Sequence, residues 1–450
     1  MYIPCHYDNE QSVTIYYKNV KTNKVNRMNK VNARKVLILL LMVNFLALSA
    51  QEKAADLGDF FSKGVYDLKL RLSYEYSDVD NNQDSDPGKG LTLSSYVGYR
   101  TAELGGFSFY TQFHNLLKID DRYNDTHGKY AGEYDKIADP DGSRIQQLYV
   151  DFTKIPDTKI RLGRQQLLID DVRFIGNVGW RQTAQVFDGI TVSNKSIKDT
   201  TLFLGYIDKV ATIGFQEAEF DGIWLANAKY YGIKGHTQTA FAYLVDSEGT
   251  SRDTATFGAR ANGQFGKLKY DMTYAFQSDY EDSEDRALHF FQGYLGYDFG
   301  GIEPGIGYSY IDGADTSQTG DKGFDTLFST AHKFNGWADQ FLATNKGGVT
   351  NGLQDFYASL KFKTGGFNFL MAYHFYDTTE SHGYSNAYGQ ELNFLVSRKL
   401  NKQLTATAKV AYYDEFSHAG NPTADEMVVW LRLDYALSGP VSDPFKPFND

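Results

Sequence analysis

The 450-residue chain has one cysteine, Cys5, only 9 prolines, and beyond Ala50 no apolar run of the roughly 20 residues that a membrane helix needs. A disulfide framework is excluded, and so is a helical membrane span in that part. Patterns of helical period are scarce. There is no excess of positive charge either: 45 basic residues face 56 acidic ones, a net of -11, so the phosphate footprint of a nucleic-acid binder is missing. No G-x-S-x-G, phosphate-binding loop or zinc signature occurs, which leaves no assembled catalytic, metal or cofactor chemistry to assign. The chain reads as a non-enzyme without cofactors.

What the chain does have is aromatic and glycine residues, with 33 Tyr, 32 Phe and 42 Gly, at a mean hydropathy of only -0.44. So aromatic and so polar a composition suits strands that each carry one oily face and one wet face. Near the N-terminus, Met28 precedes Lys30, Arg34, Lys35 and the apolar run "VLILLLMVNFLAL", then "ALSAQ". This reads as a secretory signal over 28–50, behind an upstream extension over 1–27 that holds Cys5. Without residues 1–50, which carry 7 basic and 2 acidic residues, the chain has 38 basic and 54 acidic, a net of -16.

Past a short segment over 51–64, alternation with a period of two dominates. In "VYDLKLRLSYEYS", Tyr66, Leu68, Leu70, Leu72, Tyr74 and Tyr76 share one face, and Asp67, Lys69, Arg71, Ser73 and Glu75 share the other. "LKYDMTYAFQSDY" and "MVVWLRLDYAL" repeat the pattern, and about eighteen such segments can be counted over 65–437. Short connections such as "TAELGG", "YYGIKG" and "KTGG" alternate with longer polar ones, among them "DVDNNQDSDPGKG" and Asp312 to Gly352. That layout predicts an all-β fold, a single transmembrane antiparallel barrel of about 18 strands with long external loops and short periplasmic turns. A tail over 438–450 follows it.

Two blocks carry more than pattern. "RLGRQQLLIDDVRFIGNVGWRQTAQVFDG", Arg161 to Gly189, crowds arginines and aspartates around one tryptophan, and "AHKFNGWADQFLATNKGGVTNGLQDFYA" runs from Ala331 to Ala358. Together they resemble the alginate-export family of outer-membrane β-barrels. The resemblance implies an 18-stranded monomeric barrel in the Gram-negative outer membrane, inserted by the barrel-assembly machinery. It also implies a lumen narrowed by inward-folded loops, arginine-rich walls and, in the best-known members, outward passage of an anionic polyuronate. On it, a selectivity role is carried to Arg164, Asp170, Asp171, Arg173, Arg181 and Asp188, with Trp180 between them.

Alternation adds Lys69, Arg71, Arg100, Lys159, Arg161, Arg260, Lys361, Lys409 and Arg432 as wall positions facing the lumen. Arginine offers a planar fork suited to carboxylates, and a neighbouring aspartate can hold it in place. The expected function is passive, charge-selective passage of anionic solutes, with acidic-polysaccharide export as one cargo. Asp67, Glu75, Asp271 and Asp434 on the same wet faces leave a general small-solute porin open beside it. A receptor or adhesin using the long acidic loops is the third reading. The bland alternative for the Arg/Asp cluster is an ion-pair network that braces a loop, and for Trp180 loop packing. Asp78, Asp80, Asn82, Asp84 and Asp86 alternate like the start of a calcium loop, but Gln83 and Lys89 stand where the glycine and glutamate of such a loop belong.

Overall fold

The computed structural model describes residues 57–80, 85–247, 253–281, 283, 285–314, 323–342, 351–380, 387–416 and 423–440. The chain divides into two units, Met1–Asp59 and Phe60–Asp450. Of the first, only Leu57, Gly58 and Asp59 are described, in the short helix α1 (Leu57–Ser62). The signal-like segment and the tail beyond Pro440 lie outside the described residues.

The second unit is built of strands. In chain order they are β1 (Val65–Asp80), β2 (Gly88–Arg100), β3 (Phe107–Arg122), β4 (Gly142–Phe152), β5 (Thr158–Gln165) and β6 (Val186–Asn194). Then come β7 (Thr200–Ala211), β8 (Glu217–Tyr230), β9 (His236–Ser247), β10 (Thr254–Phe265), β11 (Leu268–Asp279) and β12 (Ala287–Tyr297). The last six are β13 (Ile302–Ile311), β14 (Leu353–Thr364), β15 (Phe367–Asp377), β16 (Ala387–Lys399), β17 (Leu404–Glu415) and β18 (Asp425–Pro440). Each pairs antiparallel with its neighbour in sequence, and β1 pairs with β18 from Val65 opposite Pro440 to Asp80 opposite Asp425. The sheet therefore closes into an 18-stranded barrel with no free edge. The last strand runs to Pro440, three residues past the expected end at Leu437, because the ladder with β1 continues that far.

Burial is inverted relative to a water-soluble fold. Along β18, Leu431 and Leu433 are 52% and 41% exposed while Trp430 and Arg432 are 2% and 7%. Along β1, the buried residues are Ser73, Glu75 and Ser77. Lipid solvates the leucines, and the barrel interior takes the polar side chains. Among the described residues, no helix is long and apolar enough to cross a membrane.

One barrel end carries the connections 101–106, 153–157, 195–199, 231–235, 266–267, 298–301, 365–366 and 400–403. Two of them, 266–267 and 365–366, are two-residue hairpin turns, and at Gly365 and Gly366 φ values of +57° and +78° suit a turn that a side chain would strain. The opposite end carries 123–141, 166–185 and 312–352 among its connections, with 212–216 the shortest there. Two of these long connections turn inward.

Candidate channel constriction and lumen

The inward segments are 166–185, between β5 and β6, and 323–342, the larger described part of the connection between β13 and β14. Both carry apolar side chains, and the inner wall offers rings on which those side chains pack. Leu167, Ile169, Phe174 and Ile175 of the first and Phe324, Ala338 and Phe341 of the second join Phe241, Tyr243, Phe290, Tyr376 and Tyr413 in one buried cluster inside the barrel. Phe174 lies 5.3 Å from Phe241 and 5.2 Å from Phe290, and Phe341 lies 4.6 Å from Tyr376, between ring centres.

The segments also bond to each other. Phe328 N donates to Phe174 O (2.9 Å), Gly176 N to Phe328 O (2.9 Å) and Thr330 N to Val172 O (3.0 Å). Val172 and Val178 hold φ values of +67° and +49°, a left-handed backbone that β-branched residues resist and that costs about 1–3 kcal/mol each. Backbone hydrogen bonds at both residues help sustain that strain: Val172 O accepts from Thr330 N and Val178 N donates to Thr330 Oγ1.

Cationic wall residues hold the backbone carbonyls of the first segment. Arg71 Nη1 donates to Gly179 O (3.0 Å), Trp180 O (3.3 Å) and Arg181 O (3.1 Å), while its Nε meets Asp434 at 2.6 Å. Arg432 Nη2 donates to Trp180 O at 3.0 Å, and Arg144 Nη2 to Ala184 O at 2.5 Å. Arg181 is buried between Glu75 (3.1 Å) and Asp139 (2.7 Å). Burial opposes its charge, but the two carboxylates more than offset this and raise its pKa above the usual arginine range. Arg173, 1% exposed, lies between the rings of Phe290 and Phe334 and donates to Asn335 Oδ1 at 3.2 Å. Burial pushes it down to about 10.

Carboxylates hold the second segment instead. Glu391 of β16 accepts Trp337 N (2.5 Å) and Ala338 N (3.1 Å), and Glu426 of β18 accepts Gln340 Nε2 (2.6 Å). His332 and Asp339 are 2.6 Å apart. Burial, reinforced by Lys409, Arg181 and Arg432, holds the His332 ring neutral, so its Nδ1 donates to Asp339 and its Nε2 accepts from Lys409 Nζ. Burial pushes the Asp339 carboxyl up to about 7 against the pull of Arg181 and Lys409.

A cavity of about 660 Å³ lies against the two segments. Arg71, Arg260, Lys333, Lys361, Lys409 and Arg432 line it, against three carboxylates, Asp171, Asp271 and Asp434. Trp180, Phe334, Trp337, Tyr294 and Tyr357 supply aromatic walls. A second cavity of about 560 Å³ shares Asp271, Tyr294 and Lys361 with it and reaches Lys269 and Glu303, near the short-turn end. Also near that end, Arg100, Lys159 and Arg161 converge on Asp151 at 3.1, 3.0 and 2.6 Å.

The charged residues anticipated as one selectivity cluster are thus dispersed. Asp171, Trp180, Arg71 and Arg432 line the main cavity, while Arg100 and Arg161 sit near the short-turn end. Asp170, Arg173 and Arg181 anchor the segment; Asp170 bonds Lys229 (2.9 Å) and Asn227 (2.7 Å) on the wall. Arg164 and Asp188 are a correction: they pair on the barrel's outer face, beside Leu148, which is 40% exposed, and join Glu217 (2.5 Å) at the loop end. Arg164 lies three residues from inward Arg161, an odd step that reverses the face of a strand. Trp180 stacks on His332 at 4.9 Å and meets Trp430 edge-on at 5.6 Å.

Asp78 accepts Tyr76 Oη (2.8 Å), Asp86 bridges to Tyr134, and Asn82 and Asp84 lie outside the described residues. Among the described residues, no group of His, Cys, Asp or Glu is placed to hold a metal. Sequence reasoning passed over Asp139, His332, Trp337, Asp339, Glu391 and Glu426. The available signal was acidic residues on inward strand positions, as in Glu391 between outward Gln390 and Leu392.

A closed 18-stranded barrel with an apolar outside and a charged, loop-narrowed interior is a porin-like channel of the Gram-negative outer membrane. The chain belongs to the alginate export family, whose model matches residues 66–379. No curated protein is significantly similar to it. Among solved structures, it resembles Pseudomonas aeruginosa OccK5 (OpdH), at 15% identity and a TM-score of 0.64, over 84% of this chain and 99% of that one. It also resembles P. aeruginosa OccK1 (OpdK), at 14% identity and a TM-score of 0.64, over 84% and 100%. Acinetobacter baumannii OccAB4 matches at 11% identity and a TM-score of 0.62, over 85% and 100%. These likenesses are of fold.

Proposed function

We propose that the chain is a passive, charge-selective channel for anionic solutes. The observation that carries this reading is the six cations against three carboxylates on the main cavity. Lys333 and Arg432 each donate to a backbone carbonyl and have no ion-pair partner of their own among the described residues, which leaves their charge to add to the field of the lumen. Near the short-turn end the excess continues, with three cations around Asp151, and with Lys269 and Lys361 around Glu303. A basic lumen inside an acidic chain raises the local concentration of anions and lets them in faster.

The family makes an acidic polysaccharide such as alginate a candidate cargo. The cavity volume and its aromatic walls favour a small carboxylate instead, and P. aeruginosa OpdK is known from a crystal structure with vanillate. The second reading, a general small-solute porin, draws on Arg71 with Asp434 and Arg260 with Asp271, pairs that neutralise part of the lining.

Uptake of galacturonate and of neutral galactose by liposomes holding the refolded mature chain separates them. Faster entry of the uronate is expected, with slower entry after Lys333→Glu. Equal entry of both sugars would replace charge selection by general permeability. No entry of either would point to a receptor.

A further inference from the structure

Three of the chain's 4 tryptophans surround a single side chain. Lys409 Nζ lies 3.5 Å from the ring centre of Trp180, 4.3 Å from Trp337 and 4.4 Å from Trp430, and it is hydrogen-bonded to His332 Nε2. Lys409 is 1% exposed. Trp180 belongs to the first inward segment, Trp337 and His332 to the second, and Trp430 to the wall on β18. Alternation placed Lys409 among the wall cations that a solute would meet. Its Nζ is instead enclosed by rings.

We infer that Lys409 is the positioning residue of the constriction: its ammonium, caged by Trp180, Trp337 and Trp430, latches both inward segments to the β17–β18 wall and so sets the aperture. Indole faces attract a cation strongly once water is gone, and His332 Nε2 supplies the acceptor that the ammonium needs. Most other anchors reach one segment only. Arg71, Arg144 and Arg432 take carbonyls of the first, and Glu391 and Glu426 serve the second. Direct bonds also join the segments, but they tie the pair to itself and leave its place on the wall unset. Lys409 fixes that place.

The test is chemical rescue in single-channel recordings of the refolded mature chain. Lys409→Ala removes three carbons and the ammonium, which is the outline of propylammonium. In that variant the fraction of time away from the native conductance level should rise about tenfold, the factor equal to about 1.4 kcal/mol and within the reach of a desolvated cation–π contact. Millimolar propylammonium should restore the native level, whereas propanol, matched in shape and uncharged, should not. In a Trp224→Phe background all tryptophan emission comes from the cage, and it should shift to the red in the alanine variant and return with propylammonium.

Native conductance, native noise and unshifted emission in Lys409→Ala would overturn the proposal. So would equal recovery with propanol, which would make volume rather than charge the determinant. Should the alanine variant fail to form a heat-resistant barrel, Lys409→Met keeps the bulk and removes the charge, and native behaviour there overturns the proposal in the same way. Should that fail as well, Trp180→Leu with Trp337→Leu strips the loop half of the cage and leaves the strand lysine in place. The same rise in time away from the native level is then expected, and native recordings would overturn the latch.

Discussion

The two inward segments solve one problem with opposite chemistry. Residues 166–185 present carbonyls to arginines, and their own Arg181 enters a pocket made by Glu75 and Asp139. Residues 323–342 present backbone N–H groups to Glu391 and hold a His332–Asp339 pair whose charges are disfavoured by burial. In the first set, Glu75 and Asp139 hold the charge on buried Arg181. The second contains a carboxyl that titrates near neutrality. A lumen can therefore be narrowed by two braces of which the second carries a group that titrates near neutrality.

The sharpest break in that comparison comes from Arg181→Ala. It leaves Glu75 and Asp139 as uncompensated buried charges, and removing one partner of such a pair costs about 3–5 kcal/mol. Hydrogen exchange of the refolded protein should show amides over 166–185 opening more easily by that amount, with the β-ladders unchanged. Protection equal to native over those residues would contradict the anchoring role. Glu391→Gln comes next. The amide can still accept, but it loses the charge assistance of its bonds to Trp337 and Ala338, a loss of about 1–3 kcal/mol seen over 335–341 and not over 166–175.

The pH response sharpens the contrast. Asp339 faces His332 of its own segment, Arg181 of the first, Lys409 of β17 and Glu426 of β18. Its carboxyl, raised to about 7 when packed, holds a proton that the unpacked segment releases near pH 4. The contribution of Asp339 to packing is thus full below about pH 4, weakens as pH climbs towards 7 and levels off above, while His332, held neutral when packed, contributes the opposite slope below its ordinary pKa. Exchange over 335–341 in Asp339→Asn, compared with the native protein after correction for intrinsic rates, should lack the loss of protection that the native carboxyl brings as pH rises from about 4 to 7, and identical pH profiles would contradict the role of Asp339. The smallest effect is expected of Arg164→Gln, a partly exposed outer-face pair of about 0–1 kcal/mol, which should leave ion selectivity unaltered. A shifted reversal potential in that variant would return Arg164 to the solute path.

Period-two alternation made the strands legible. Each odd or even step fixes a face, so Leu431 outward and Arg432 inward follow from order alone. The same rule carried Arg71, Arg100, Arg161 and Arg432 to the inner wall. It could not act on 166–185, where no regular period links position to direction. Density of charge in the sequence there suggested one cluster, while the fold sends Asp170 to Lys229, Asp171 towards Arg260 and Arg181 to Glu75. Arg164 was misplaced although it lies on a strand, because membership in the motif outweighed its parity. Partners such as Glu391 and Lys409 are more than 200 residues from the first motif, and only barrel closure brings β16 to β18 back against it.

The central claim is that an excess of lumen cations makes this an anion channel, and zero-current reversal potential across a potassium chloride gradient tests it most directly. The account predicts a potential displaced towards that of chloride, shrinking when Lys333 is replaced by glutamate. A potential displaced towards that of potassium in the native channel would contradict it.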